Sequence, residues 1–96
     1  METENGFEWD DQKRQTNLEK HGIDFAEATE VFADPKLCTY PSNSKSGEER
    51  FLSIGMLRGR LIAVVFTQRG EMTRIISARA TRRSEREKYG QQREDS

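Results

Sequence analysis

The chain has 96 residues, enough for one domain and too few for two separate cores. Hydrophobic residues make up only 32% of it, but the formal net charge is −1, whereas disordered chains combine low hydrophobicity with a high net charge. The longest apolar run, over 61–66, is far shorter than the roughly 20 residues of a membrane helix. We therefore expect a single domain over 1–96, with an ordered core over about 7–90 and a frayed tail over 91–96.

Two further features bear on the compartment. The N-terminal sequence Met-Glu-Thr-Glu lacks the basic start and the apolar stretch of a secretory signal. Cys38 is the only cysteine, so neither an internal disulfide nor a cysteine-based metal site can form, and we interpret it as a small buried hydrophobe. These features predict a cytoplasmic protein without membrane association.

The small net charge conceals an uneven distribution. Residues 1–35 hold ten acids and three bases, whereas residues 50–90 hold ten bases and three acids. Nine of those ten bases are arginine, whose planar guanidinium binds phosphate through two parallel hydrogen bonds. This pattern favours a C-terminal half that binds polyanions; the alternative is that the two halves neutralise each other within the fold.

The first 35 residues predict a short extended segment followed by two helices. Asp10 can cap a helix over 11–21, and Gly22 suits the left-handed residue that closes it. A capping-box spacing at Asp24 and an apolar stripe predict a second helix over 25–34, which ends before a proline. We expect the aromatic residues of this half to lie in the core: Trp9, Phe25 and Phe32.

From residue 37 onward the apolar period changes to two, which predicts strands over 37–40, 51–57, 61–66 and 73–80. The third is apolar on both faces and is expected at the centre of the sheet. For the Arg-Gly connections at 58–59 and 69–70 we expect type I turns with glycine in the following bulge position, because arginine disfavours positive φ.

The last element is a polar helix over 81–89, which begins at Thr81 or Ser84. Between Arg82 and Lys88 it has no apolar residue, and a helix that is polar all round is either solvated or made to contact a partner. The predicted fold class is therefore α+β: a small antiparallel sheet of about four strands in a meander, packed by two N-terminal helices and a polar C-terminal helix.

The order of these motifs resembles a known family. In the first half the matching segments are Phe7-Glu-Trp-Asp10 and Lys20-His-Gly22, followed by residues 25–35. In the second half they are Gly59-Arg-Leu61, Val65-Phe-Thr67 and Arg74-Ile-Ile-Ser-Ala-Arg79, then Glu85 and Tyr89. In this order and spacing, over about residues 7–90, the chain resembles the BrnT toxin family.

The resemblance implies a toxin of a bacterial type II toxin–antitoxin system, with a compact RelE-like fold and a ribonuclease activity that inhibits translation and growth. It also implies a BrnA-like antitoxin as the partner, which masks the toxin and carries a DNA-binding domain. DNA would then be contacted only indirectly, through the antitoxin complex.

Cleavage of RNA without a metal proceeds through attack of the 2′-OH on the neighbouring phosphate, and it needs a base, an acid and positive charge at the phosphorane. The chain has one histidine, so a pair of histidines cannot supply acid and base, and no ligand cluster for a catalytic metal is visible. We therefore expect no metal or other cofactor and a site that depends on arginine electrostatics.

The candidate catalytic residues are Arg79, Glu85, Tyr89 and His21. Arg79, which the resemblance also marks, ends the last strand just before the final helix, where a phosphate could bind; alternatively it pairs with an acid of the N-terminal half. Glu85 and Tyr89 share a helical face and could serve as base and acid, or as an exposed ion pair and a packing residue. His21 could act as acid or base, or it could simply cap the first helix.

The candidate ligands for RNA phosphates are Lys20, Arg60, Arg74, Arg82 and Arg83. The residues alone indicate a small domain with a basic face that associates with nucleic acid. The resemblance adds the implied function, a metal-independent endoribonuclease that acts on single-stranded RNA. Two alternatives remain open: a non-catalytic module that binds nucleic acid or an acidic partner through its basic half, and a helix over 81–90 that mainly docks the antitoxin.

Overall fold

The computed structural model describes residues 2–4, 6–42 and 47–94, which form a six-stranded sheet with helices on both faces. The strands are β1 (Glu2–Glu4), β2 (Phe7–Trp9), β3 (Cys38–Ser42), β4 (Arg50–Leu57), β5 (Arg60–Arg69) and β6 (Met72–Ala80). The helices are α1 (Asp11–His21), α2 (Phe25–Ala28) and α3 (Arg83–Glu94), and a 3-10 turn over Thr29–Ala33 follows α2.

The sheet is larger than predicted and mixed, with the strand order β1-β2-β6-β5-β4-β3 in the described part of the chain. Strands β3 to β6 form the predicted antiparallel meander of four. However, β2 adds to β6 in parallel and β1 pairs with β2, so the expectation of about four antiparallel strands is wrong for the sheet as a whole. The local pattern could not show this, because β2 has three residues and its partner β6 is more than 60 positions away.

The predicted central position of the third apolar run is confirmed. Strand β5 lies between β4 and β6, and it has buried side chains on both faces. Ile62 and Val64 join the core beneath α1 and α2, whereas Ala63 joins a second, smaller cluster beneath α3. Because successive strand residues point to opposite faces, one strand supplies both cores.

Helix α1 begins and ends as predicted. The Asp10 carboxylate accepts hydrogen bonds from the amides of Gln12 (2.8 Å) and Lys13 (3.2 Å), and Gly22 adopts the left-handed conformation at the C-terminus. The only buried side chain among the α1 residues is that of Asn17. This helix therefore attaches to the sheet through a polar contact rather than through an apolar stripe.

The second helix is shorter than predicted. The Asp24 carboxylate caps it by accepting from the Ala26 amide at 3.1 Å, but the α-helical part ends at Ala28 and the chain continues as a 3-10 turn. The Thr29 hydroxyl donates to the Ala26 carbonyl, a local bond that competes with the α-helical ladder. The predicted apolar stripe is confirmed, with Phe25, Ala28 and Val31 buried and Phe32 half-buried against them.

Both predicted hairpins exist, but the expected turn types are wrong. The β4–β5 turn consists of Arg58 and Gly59, which both have positive φ (49° and 87°), and Gly70 opens the β5–β6 turn with φ 60°. Two-residue turns with positive φ match the right-handed twist of the strands better than type I turns do. The unusual φ of Arg58 accompanies hydrogen bonds from its guanidinium to Glu27 (3.0 Å) and Glu30 (2.8 Å).

The C-terminal helix is longer and better anchored than predicted. It continues to Glu94 rather than ending at Tyr89, and thus enters the segment expected to be a frayed tail. Its outer face is charged and exposed, but Glu85 and Tyr89 are buried against the sheet. The interpretation of a helix that is polar all round is therefore wrong.

One close contact in this packing is testable at Gly55 of β4. A Cβ there would come within 2.8 Å of the Val31 carbonyl oxygen, so we expect Gly55→Ala to lower the free energy of unfolding by about 1–3 kcal/mol. Gly90→Ala is the matched control, because a Cβ at Gly90 meets no described atom within 4 Å and alanine gains about 1 kcal/mol over glycine in a helix. Urea denaturation measures both; a Gly55→Ala midpoint at or above the wild-type midpoint would contradict the close contact.

Candidate active site

The α3-covered face of the sheet carries a row of side chains that runs across four strands. Arg79 lies opposite Ala63, which lies opposite Ile54, which in turn lies opposite Cys38. Tyr89 of α3 packs on Ile54 and Ala63 in the middle of this row. The small Ala63 side chain lets the helix approach closely, and its preceding turn then lies beside Arg79.

Arg79 and Glu85 form a two-pronged ion pair between the end of β6 and the first turn of α3. The Arg79 Nη1 and Nη2 atoms donate to the two Glu85 carboxylate oxygens at 2.8 and 2.9 Å. Only 7% of the Glu85 side chain is exposed, and 19% of that of Arg79. The expected alternatives, an acid of the N-terminal half as the partner of Arg79 and an exposed ion pair for Glu85, are therefore wrong.

The ion pair changes the acidity of both groups. The hydrogen bond from Arg79 lowers the pKa of Glu85 despite the opposing effect of its burial, and the Arg82 amide contributes in the same direction. The hydrogen bond with Glu85 likewise raises the pKa of Arg79. Glu85 is thus an anion throughout the neutral range, and its carboxylate is a weak base.

Glu85 also fixes the start of α3. Its Oε1 accepts from the backbone amide of Arg82 at 2.8 Å, so this amide has a partner within the protein. A carboxylate at this position satisfies an otherwise unpaired helix amide and is favoured by the helix dipole. The same side chain therefore orients the helix and the Arg79 guanidinium.

The pairing leaves one edge of the Arg79 guanidinium available. Its Nη1 donates to Glu85 and, at 3.3 Å, to the Ala80 carbonyl, and its Nη2 donates once to Glu85. The Nε and the second Nη2 hydrogen have no hydrogen-bond partner among the described residues. An arginine presents five donors in a rigid fork, so this side-on edge matches two oxygens of a phosphate.

Tyr89 is occupied by packing. It is 4% exposed, and its hydroxyl donates to Asp34 Oδ2 at 2.7 Å. Asp34 also accepts from the backbone amides of Lys36 and Met56; burial opposes ionisation of Asp34, but these hydrogen bonds hold its pKa below the ordinary value. The Tyr89 phenol thus anchors α3 to the segment before β3.

Tyr40 of β3 is a residue of this site that the sequence did not single out. It lies under α3, where the Lys88 Nζ is 3.9 Å from its ring centroid. Burial and the charge of Glu85 raise the pKa of the phenol, although the positive charge of Arg79 opposes them. Its position follows from the pairing of β3 with β4, and no local motif indicates it.

His21 and Lys20 lie at a cleft on the other side of β6. The cleft has a volume of about 310 Å³ and separates α1 from the edge of that strand. Among its lining residues is Ser77, which is two positions before Arg79 and shares its sheet face. No hydrogen bond joins His21 to Arg79 or Glu85 in the described part of the chain.

The remaining predicted phosphate ligands are dispersed. Arg74 pairs with Glu8 of β2 at 3.0 Å, and both side chains are 13% exposed. Arg60 lies at a second, smaller cleft beside the β4–β5 turn. Arg82 and Arg83 are exposed at the start of α3, where Arg83 is 3.4 Å from Glu87. Of this set, Arg82 is next to the Arg79–Glu85 pair.

Residues 2–4, 6–42 and 47–94 contain neither a cluster of metal ligands nor a membrane-spanning helix. No three side chains of His, Cys, Asp or Glu come close enough together there to hold a metal ion. None of the described helices has the length and hydropathy that crossing a bilayer requires.

Comparison with known families gives the class of this protein. Residues 9–85 match a family model described as "Ribonuclease toxin, BrnT, of type II toxin-antitoxin system". The protein is thus a ribonuclease toxin of a type II toxin–antitoxin pair. The match covers most of the chain, so the chain belongs to the BrnT family, which confirms the resemblance found in the sequence. A search of the curated proteins found no matching relative.

The ion pair predicts a specific pH dependence. Because the pKa of Glu85 is lowered in the folded state, the pair stabilises fully above the unfolded carboxyl pKa of about 4.3, and this contribution is lost as the pH falls through the folded value. We expect Glu85→Gln to lower the free energy of unfolding by about 1–3 kcal/mol at pH 7 and by progressively less below pH 4.

The exposed Glu87 of the same helix supplies the control, since Glu87→Gln should change stability little at any pH. Urea denaturation at several pH values measures both variants. A Glu85→Gln deficit that stayed constant from pH 7 to pH 2 would contradict the proposed cause.

Proposed function

We propose that this toxin is a metal-independent endoribonuclease that cleaves single-stranded RNA by attack of a 2′-OH on the adjacent phosphate. The bond between the 2′ oxygen and phosphorus forms while the bond to the 5′ oxygen breaks, which gives a 2′,3′-cyclic phosphate and a 5′-OH end. The 2′-OH proton goes to a base, and an acid protonates the leaving 5′ oxygen.

The observation that carries this proposal is the half-occupied guanidinium of Arg79. Glu85 holds one side of it, and the free edge with Nε and Nη2 has two donors for the phosphorane oxygens. Donors that are fixed before the reaction stabilise developing negative charge without further reorganisation. Arg79 is thus the proposed electrostatic catalyst.

Glu85 and Tyr89 act in this proposal as positioning residues. The Glu85 carboxylate is an anion with a lowered pKa and three hydrogen bonds, which makes it a poor acceptor for the 2′-OH proton. Tyr89 is buried with its hydroxyl bound to Asp34. Both keep α3, and therefore Arg79, in place.

His21 and Tyr40 are the proposed groups for proton transfer. His21 lines the cleft that reaches Ser77 on the Arg79 face, and an imidazole is the side chain most often used as a general base. The phenol of Tyr40 is protonated near neutral pH, as the upward direction of its pKa shift reinforces, and it is the proposed donor to the leaving oxygen. Lys20, Arg82 and Arg83, together with Arg60 and Arg74, are the proposed contacts to other phosphates.

A cognate antitoxin is the expected partner of a toxin of this class. We propose that it is BrnA-like, that it masks the RNA-binding surface, and that the complex is cytoplasmic and reaches DNA through the antitoxin. The exposed outer face of α3, with Arg82, Arg83 and Arg86, is a candidate contact for it.

Removal of Arg79 tests the proposed activity. We compare Arg79→Ala/Glu85→Gln with Glu85→Gln alone, because the double variant avoids a buried unpaired carboxylate and the pair differs only in the arginine. We expect the arginine to account for a 10²–10³-fold loss in single-turnover cleavage of end-labelled RNA in EDTA, as for one oxyanion donor. Wild type should give products that end in 2′,3′-cyclic phosphate.

Each result has a distinct meaning once circular dichroism shows that both variants are folded. Equal cleavage by the two variants would exclude Arg79 from the site. Wild type that binds RNA without cleaving it in EDTA, but cleaves it on addition of Mg²⁺, would contradict the metal-independent mechanism. Binding without cleavage under both conditions would favour the non-catalytic module.

Tyr89→Phe separates a positioning role from a catalytic one. It removes the hydrogen bond to Asp34, so we expect the free energy of unfolding to fall by about 1–3 kcal/mol. At a temperature where the variant is folded, its cleavage rate at saturating RNA should stay within about threefold of wild type. A rate loss of a hundredfold or more, without loss of structure, would show that the phenol takes part in chemistry.

A further inference from the structure

The cleft between α1 and β6 has the composition of an anion site. Its charged lining residues are all basic, and several neutral hydrogen-bonding groups accompany them: Lys13, Lys20, His21, Gln12, Thr16, Asn17 and Ser77 surround the apolar Ile76. Neither Lys13 nor Lys20 forms an ion pair with a described residue. Both lysines and His21 lie in the half of the sequence that has an excess of acids.

The cleft is built rigidly around Asn17. Its Nδ2 donates to the carbonyls of Ile23 and Ala78, both at 2.9 Å, and its Oδ1 accepts from the Ala78 amide at 3.0 Å. The Asn17 side chain thus replaces a neighbouring strand at Ala78, beyond the point where β2 stops pairing with β6. Because both amide hydrogens of Asn17 are donated and its oxygen accepts from the Ala78 amide, we assign it to the wall of the cleft and not to the ligands.

A β-bulge connects this cleft to the Arg79 face. Ser77 pairs with Val65 and Ile75 pairs with Phe66, which leaves Ile76 as an extra residue in β6. In a regular strand Ile76 and Ser77 would point to opposite faces, but here both line the cleft. The cleft therefore continues around the strand edge toward Ser77 and, two positions later, Arg79.

We infer that this cleft binds a nucleotide of single-stranded RNA that flanks the phosphate held by Arg79, an inference that rests on the proposed function. The volume of about 310 Å³ is at the lower end of the range for small-ligand sites, which suits one nucleotide. Lys13 and Lys20 contact the backbone phosphate, and Gln12, Thr16 and Ser77 contact the sugar or the base edge.

RNA is favoured here over an acidic segment of a protein partner. The cleft reaches Ser77, which lies two positions before Arg79 on the same face of β6, and it combines cations with neutral donors and an apolar patch at Ile76. An acidic segment of a protein partner would need only the positive charge of the cleft, and not its neutral donors or its apolar patch. Measuring the binding of RNA and the binding of the antitoxin in separate experiments distinguishes the two candidate occupants.

The test uses a fluorescein-labelled pentanucleotide of RNA with 2′-O-methyl groups throughout, which cannot be cleaved because the nucleophile is blocked. Its binding to Lys13→Gln/Lys20→Gln is measured by fluorescence anisotropy from 0.05 to 0.5 M salt. The control, Arg58→Gln/Arg69→Gln, removes the same charge outside the cleft, near the ends of two hairpins.

We expect the cleft variant to bind about tenfold more weakly than wild type at 0.1 M salt, with a log–log salt slope that is smaller by about 0.7 for each lysine. The control should keep the wild-type slope. In cleavage of unmodified RNA, the cleft variant should show a raised KM.

Equal binding and equal slopes for the cleft variant and the control would overturn the inference, and so would a wild-type chain that does not bind the probe. An unchanged RNA affinity together with weaker antitoxin binding would overturn it in favour of a partner surface. Because the probe is not cleaved, these outcomes do not depend on the chemistry at Arg79. They can therefore be interpreted even if the proposed cleavage mechanism is wrong.

Discussion

The Arg79–Glu85 ion pair is the interaction on which the candidate site depends most. Helix α3 offers the sheet only one large ring, Tyr89, so a paired charge does much of the work that an apolar stripe does in other helices. A buried ion pair is costly unless its remaining hydrogen-bonding groups are satisfied. Here the Arg82 amide and the Ala80 carbonyl satisfy part of them, and the side-on edge of Arg79 is left for a ligand. The ion pair that attaches the helix thus also orients the Arg79 guanidinium. The position of α3 and the geometry of the site therefore cannot vary independently.

Helix α1 follows the same rule on the other side of β6. Asn17, a buried amide with three hydrogen bonds, attaches it to the sheet, and the salt bridge between Arg14 and Asp24 ties it to the start of α2. A chain with 32% hydrophobic residues cannot give every helix an apolar stripe. Attachment through single, fully satisfied polar groups requires little apolar surface, and it leaves the lysines of α1 facing outward over the cleft.

The sequence correctly predicted those parts of the fold that depend on neighbouring residues. The Asp10 cap, the Gly22 terminus and the central position of β5 each depend on a few adjacent residues, and all three are confirmed. The parallel pairing of β2 and the extra residue at Ile76 depend on register between distant strands, which no periodicity reveals. The sequence also indicated Arg79 and Glu85 as candidates. Their ion pair, however, depends on the direction in which α3 leaves β6, and the sequence pattern does not show that direction. Tyr40 became visible only through its neighbours.

The charge distribution along the chain is a poor guide to the charge of its surfaces. Part of the basic half is neutralised by the acidic half, since Arg58 binds Glu27 and Glu30 while Arg74 binds Glu8. Conversely, the cations that line the cleft, Lys13, Lys20 and His21, come from the acidic half. Folding therefore neutralises several arginines of the basic half and leaves lysines of α1, in the acidic half, exposed. A path for a polyanion from this cleft to Arg79 therefore uses residues of both halves of the sequence. It forms only when the strands pair.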